Sequence, residues 1–97
     1  MKFKNVTHKG LRRLIEDDDA SKLDPQSVEK LRRILSYLGQ LDDIEKLNSF
    51  PQWRAHQLKG ARKGTWSLSV TANWRLTFKV ERKPVAAITD LDFENYH

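Results

Sequence analysis

A small set of basic and aromatic side chains in the second half of this chain could act together on a phosphodiester. The candidate catalytic residues are His56, Lys59, Arg75, Tyr96 and His97. Cleaving RNA without a metal requires a base for the 2′-hydroxyl proton, a cation for the charge on the phosphate oxygens, and an acid for the leaving 5′-oxygen. Histidine suits either proton step near neutral pH, and arginine suits the charge step because it stays protonated and can hold two oxygens. Such a reaction would leave a 2′,3′-cyclic phosphate and a 5′-hydroxyl.

Residue types alone do not establish this chemistry, because a lone histidine is more often a surface or core residue than a catalyst. Other chemistries are excluded more firmly. The chain has no cysteine, its three histidines are far apart in sequence, and it contains neither a glycine-rich phosphate loop nor a Gly-x-Ser-x-Gly motif. The acidic pairs Asp17–Asp19 and Asp42–Asp43 fall among predicted helices, where solvated surface is the expected role. We therefore expect no metal and no cofactor.

Positive charge is concentrated in one stretch of the sequence. The net charge is +5, and no Asp or Glu occurs from Lys46 to Val80. A field of one sign attracts phosphates, so this stretch predicts contact with a polyanion. The alternative is a solvated basic face without a partner. The predicted RNA-binding residues outside the catalytic set are Arg54, Arg62, Lys63 and Lys79.

The elements that must position these residues follow from the apolar spacing, which changes near Phe50-Pro51 from a helical period to an alternation. With 97 residues we expect a single domain, 1–97. Two helices are predicted at about 8–18 and 24–39, the second capped by Asp24 with Pro25 at its first position. A short helical turn is expected at 42–47. Strands are predicted at 54–58, 65–70, 74–80 and 85–93, with a possible first strand at 2–5.

These elements predict an α+β fold, in which two N-terminal helices pack on one face of an antiparallel sheet of about four to five strands. The strand alternation directs Trp66, Leu68 and Leu76 to the core. The opposite face would then be exposed and basic, because it carries Arg75 and Lys79, together with Ser67 and Ser69.

The location of the protein is also an expectation from sequence. The first residues, MKFKNVTHKG, contain no apolar segment of the kind that a secretory signal requires. No stretch approaches the roughly 18 apolar residues of a membrane span. We therefore expect a cytoplasmic protein without a membrane partner.

Three segments carry a resemblance to a known family. HQLKGARKGTWSLSV at 56–70, followed by NWRLTF at 73–78, resembles the HigB branch of the RelE toxin superfamily. The opening HKGLRRL at 8–14 is similar to the same branch, and the ending Asn95-Tyr96-His97 is similar to its terminal Asp-Tyr-His. The resemblance covers nearly the whole chain in the same order.

The resemblance implies a RelE-like fold and a ribosome-dependent endoribonuclease that cuts mRNA in the 30S decoding site without a cofactor. It implies a HigA-like helix-turn-helix antitoxin as partner, with operator DNA bound only through that antitoxin. The family's active-site histidine falls on His56, its nearby lysine on Lys59 and its central-strand arginine on Arg75. Its terminal tyrosine and histidine fall on Tyr96 and His97, and we expect His97 to be the general acid.

Two departures from the family pattern leave alternatives open. Asn95 replaces an acid, and an amide cannot stabilise a charged imidazolium as a carboxylate does. Ser67 and Ser69 occupy the strand in which some members carry a further arginine. The alternatives are a non-catalytic RNA- or ribosome-binding module, and an inactive toxin homologue that acts as an interaction domain.

Overall fold

Two capped helices form the first half of the molecule. The computed structural model describes residues 1–95, in which α1 spans Lys9–Asp17 and α2 spans Pro25–Gln40. The imidazole Nδ1 of His8 accepts a hydrogen bond from the backbone N–H of Leu11 at 3.2 Å and so caps α1. The Asp24 carboxylate accepts from the Gln26 N–H at 3.0 Å, with Pro25 following it. Both predicted helices are confirmed to within about one residue at each end.

Within residues 1–95, five strands form a single sheet. They are β1 (Lys2–Phe3), β2 (His56–Gln57), β3 (Trp66–Ser69), β4 (Trp74–Glu81) and β5 (Ala87–Asn95), arranged in the order β1-β5-β4-β3-β2. Every pairing is antiparallel except that of β1 with β5, which is parallel. The predicted α+β class and strand number are confirmed. The last strand runs to Asn95, two residues beyond its predicted end, and the strand predicted at 54–58 is reduced to β2.

The chain reaches the sheet through two 3₁₀ turns, at Ile44–Ser49 and Pro51–Trp53. The helical turn predicted at 42–47 therefore lies slightly later and has 3₁₀ geometry. Asp43 caps the first of these turns by accepting from the Glu45 N–H. No helix among residues 1–95 combines the length and the apolar character that crossing a bilayer requires.

The hydrophobic core lies between the helices and one face of the sheet. In α2, Leu31, Ile34 and Leu38 are fully buried at spacings of three and four residues. In the sheet, the alternating residues Leu76 and Phe78 are fully buried with them. The remaining fully buried aliphatic side chains of this core are Leu11, Ile44, Leu47, Leu68, Ile88 and Leu91.

The opposite face of the sheet differs from the prediction. Ser67 and Thr77 are 0% and 1% exposed, so the centre of this face is not wet. It is also not purely basic, because Asp92 and Glu94 of β5 lie opposite Thr77 and Arg75 of β4. Directly paired residues of antiparallel strands point to the same side of the sheet. The predicted exposed basic platform is therefore wrong, since the register between β4 and β5 brings acids onto it.

We predict that Leu68→Ala lowers the free energy of unfolding by about 2–5 kcal/mol, because it leaves a cavity in a fully buried position of β3. Urea denaturation measures this loss. The control is Val85→Ala at a position that is 73% exposed, where the change should stay within about 0.5 kcal/mol. Equal losses in the two variants would contradict the described packing.

Candidate active site

Two rows of side chains cross the face of the sheet opposite the helices, which we call the polar face. The first row contains His56, Ser67, Thr77 and Asp92, on β2 to β5; the second contains Ser69, Arg75 and Glu94, on β3 to β5. Strands lie about 4.8 Å apart and successive rows about 7 Å apart, so the Cα atoms of His56 and Arg75 are separated by roughly 12 Å. Side chains of this length can reach a common phosphodiester between them.

One ring nitrogen of His56 is held by a hydrogen bond to the backbone. Its Nδ1 lies 2.7 Å from the backbone carbonyl oxygen of Arg54, and the imidazole is exposed. A carbonyl only accepts hydrogen bonds, so Nδ1 must carry the hydrogen and donate it. The neutral ring then leaves Nε2 as the nitrogen that can accept a proton, as a general base requires. Arg54 supplies this carbonyl from a left-handed backbone conformation, with a φ of 50°.

A cleft of about 720 Å³ opens beside His56. Two cations, Lys30 and Arg54, line it, and residues 1–95 contribute no carboxylate to the lining; the other residues of the lining are His56, Ser69, Val70, Thr71 and Ala72. This lining favours an anionic ligand next to the imidazole. Sequence analysis missed Lys30, since nothing in the chain before folding indicates that α2 approaches the turn between β3 and β4.

Glu94 contacts three other side chains, Arg62, Thr77 and Arg75. The Arg62 guanidinium donates from Nη1 to Oε1 at 2.8 Å and from Nη2 to Oε2 at 2.5 Å. The hydroxyl of Thr77 donates to Oε2, and Nη2 of Arg75 lies 3.5 Å from Oε1. Sequence analysis missed Glu94, although the alternation of β5 could have indicated that Asp90, Asp92 and Glu94 share one direction.

These contacts keep Glu94 ionised. The hydrogen bonds from Arg62 lower the pKa of the carboxyl to about 2, with further lowering from Thr77 and the charge of Arg75, while burial opposes the shift. The same pairing raises the pKa of the Arg62 guanidinium. Arg62, which the sequence predicts as an RNA-binding residue, is thus engaged within the protein.

The other predicted cations, Lys59, Lys63 and Lys79, are exposed at two different places on the protein. Lys59 and Lys63 are exposed on the loop between β2 and β3, on either side of the 3₁₀ turn Gly60–Arg62. Gly60 and Gly64 have φ values of 71° and 93°, which glycine adopts without strain. Lys79 is exposed beside a second cavity, of about 290 Å³, whose lining includes the acids of β5.

The structure thus brings His56 and Arg75 onto one face, places Arg54 against His56, and connects Arg62 with Arg75 through Glu94. Tyr96 and His97 lie outside the described residues. Within residues 1–95, no three His, Asp or Glu side chains are grouped so that they could ligate a metal ion.

Comparisons with known proteins identify the family and the fold. A family model described as the RelE-like toxin HigB of a type II toxin–antitoxin system matches residues 4–94. The protein named Endoribonuclease HigB of Proteus vulgaris is 35% identical over 95 residues, which cover 98% of this chain and 99% of the relative. Among solved structures, a YoeB/ParE toxin from Agrobacterium tumefaciens covers all of both chains, with a TM-score of 0.60 at 19% identity. YafQ of E. coli has a TM-score of 0.56 at 16% identity, with 93% of this chain and 87% of YafQ covered. At these identities the two structures support the fold alone.

We predict that Glu94 makes the stability of the protein sensitive to acid. Its folded pKa of about 2 lies below the ordinary value of 4.5, so its contribution is complete above about pH 5 and is lost as the pH falls towards 2. The loss reaches at most about 3 kcal/mol, and less to the extent that solvent screens Arg62, which is 43% exposed. Denaturation of the wild type and of Glu94→Gln between pH 7 and pH 2 measures this component, which the variant should lack.

The matched control is Glu81→Gln, which removes the same charge from an exposed pair with Lys4 on the same sheet. That pair should contribute little, as exposed ion pairs do. Parallel pH profiles for wild type and Glu94→Gln would contradict the described pairing of Glu94.

Proposed function

Since this chain belongs to the HigB-like family of RelE-like toxins of type II toxin–antitoxin systems, we propose that it is an endoribonuclease that cuts messenger RNA on the ribosome. The family membership confirms the resemblance found in the sequence. The observation that carries the proposed activity is the placement of His56 and Arg75 on one face, with Nε2 of His56 left to accept a proton.

In the proposed reaction, Nε2 of His56 takes the proton from the 2′-hydroxyl, and the resulting oxygen attacks the adjacent phosphorus. The bond from phosphorus to the 5′-oxygen breaks, and an acid protonates that oxygen. Arg75 and Lys59 stabilise the charge that builds on the non-bridging oxygens. His97 remains our candidate for the acid, with Tyr96 beside the phosphate. The products are a 2′,3′-cyclic phosphate and a 5′-hydroxyl, and the reaction uses side chains without a cofactor.

The RNA backbone follows the cations for which residues 1–95 provide no ion-pair partner. We assign one phosphate to the cleft that Lys30 and Arg54 line beside His56, because residues 1–95 place two cations and no acid along this cleft. Lys63 contacts a second phosphate from the loop between β2 and β3. Lys79 lies beside the acids of β5 and contacts RNA more weakly, because the field there is mixed.

The partners follow from the same premise. We propose that the protein acts in the cytoplasm as a single domain, in the 30S decoding site, where mRNA is its substrate. A HigA-like helix-turn-helix antitoxin neutralises it and gives the pair its contact with operator DNA. The alternative of an inactive homologue rests on Asn95, and a non-catalytic RNA-binding module would use the same cations without cutting.

We predict that expression of this protein without an antitoxin arrests bacterial growth and that Arg75→Ala abolishes the arrest. Losing a cation that stabilises the transition state should slow cleavage by roughly 100- to 1000-fold. Arg82→Ala, at an exposed position after β4, is the control that removes the same charge. Normal growth with soluble wild-type protein would refute the toxin activity. Near wild-type cleavage by folded Arg75→Ala would reduce Arg75 to a binding residue.

We predict that ribosome binding weakens steeply with salt, and that Lys30→Gln combined with Arg54→Gln flattens this dependence. Each lost phosphate contact to a single strand should reduce the slope of log affinity against log salt by about 0.7, hence about 1.4 for the pair. Lys9→Gln with Lys22→Gln, at exposed positions in and after α1, gives the same net charge change. An equal slope in the cleft double variant and the wild type would place the RNA on another surface.

A further inference from the structure

One carboxylate joins three separate parts of the candidate active site. Glu94 stands on β5, Arg75 and Thr77 on β4, and Arg62 on the loop between β2 and β3. Arg62 and Arg75 both contact Oε1, at 2.8 and 3.5 Å, so their donating nitrogens lie no more than about 6 Å apart. This acid therefore stands between two of the cations that the sequence predicts to act on RNA.

We propose that Glu94 is a positioning residue for RNA cleavage, which holds Arg75 on the polar face and, through Arg62, fixes the loop that carries Lys59. Arg62 then acts through Glu94 and is not a phosphate ligand. This inference rests on the proposed endoribonuclease activity and explains how Glu94 arranges the cations that act in it.

The geometry of Arg62 supports the inference that it is not a phosphate ligand. Both of its terminal nitrogens are directed at the two oxygens of one carboxylate. A phosphate that bound Arg62 in the same bidentate manner would have to displace Glu94 from those nitrogens. Glu94 has a side chain only 21% exposed, so its charge would lose its main partner in a partly desolvated position. Arg62 is thus better explained as a link within the protein.

The environment of Arg75 supports the inference that Glu94 holds it on the polar face. Two guanidinium groups this close repel each other unless a negative charge lies between them. With Glu94 ionised, these three groups carry a net charge of +1, and Asp92 adds a negative charge on the same face. The contact of Arg75 with Glu94 is long, at 3.5 Å, and the Arg75 side chain is 20% exposed. Glu94 is therefore one of the contacts that hold Arg75 on the polar face.

The loop between β2 and β3 supplies the third argument. Its backbone closes on itself, with Lys63 N donating to Gly60 O at 3.1 Å and Thr65 N donating to Arg62 O at 3.0 Å. The ion pair from Arg62 to Glu94 connects this closed loop to β5, two strands beyond β3. Lys59 precedes the loop's 3₁₀ turn, so its position relative to Arg75 depends on that connection.

Single-turnover cleavage of mRNA on ribosomes tests the assignment. We expect Glu94→Gln, which keeps the side-chain shape, to lower the rate at saturating ribosome concentration by about 10- to 100-fold, as misplaced reacting groups do. The concentration for half-maximal rate should change by less than about threefold, because the phosphate ligands of the cleft remain. Glu81→Gln, the matched loss of charge on the same sheet, should change neither value. An unchanged or faster rate in Glu94→Gln would overturn the proposal, the faster rate by showing that Glu94 shields Arg75.

A double-mutant cycle with Arg62→Ala separates positioning from RNA binding, and the Arg62→Ala variant serves by itself if Glu94→Gln does not fold. We expect Arg62→Ala to reproduce the rate loss, the double variant to be no slower than the worse single variant, and the salt slope to match the wild type. Multiplied losses, or a slope flattened by about 0.7, would make Arg62 a phosphate ligand and overturn the proposal. A wild type that cuts nothing would instead overturn the proposed function, before any variant is compared.

Discussion

The charge of Glu94 is the constraint on which the arrangement of the polar face depends. A carboxylate that is four-fifths buried stays ionised only with strong compensation, and Arg62, Thr77 and Arg75 provide it. Its negative charge in turn allows the guanidinium groups of Arg62 and Arg75 to lie close together. They lie over a sheet whose centre, at Ser67 and Thr77, is buried. The antiparallel register of β4 with β5 sets Glu94 opposite Arg75, and the apolar core behind β4 keeps that register in place.

The predictions that succeeded rest on patterns that are local in the sequence. The caps at Asp24 and Pro25, and the stripe of Leu31, Ile34 and Leu38, are local patterns whose physical consequences do not depend on the rest of the chain. The buried alternation in β3 and β4 is equally local. The family resemblance then gave His56 and Arg75, and the structure places them on one face.

The errors concern contacts between segments that are distant in sequence. The sequence has no acid from Lys46 to Val80, but β5 lays Asp92 and Glu94 beside β4 and adds negative charge to the same face. Arg62 and Glu94 are 32 positions apart, and nothing in either segment alone indicates their pairing. The approach of Lys30 to the cleft beside His56 likewise depends on how α2 docks, which the helix period leaves undetermined.

In the proposed reaction the chemistry is carried out by side chains, with His56 as base and Arg75 as the cation for the phosphate. The most direct test induces the protein in bacteria and maps new 5′ ends of RNA, with and without kinase treatment before ligation. We expect new ends within translated messages that ligate only after phosphorylation, because the proposed cut leaves a 5′-hydroxyl. New ends that already carry a 5′-phosphate, or that occur equally in untranslated RNA, would contradict it.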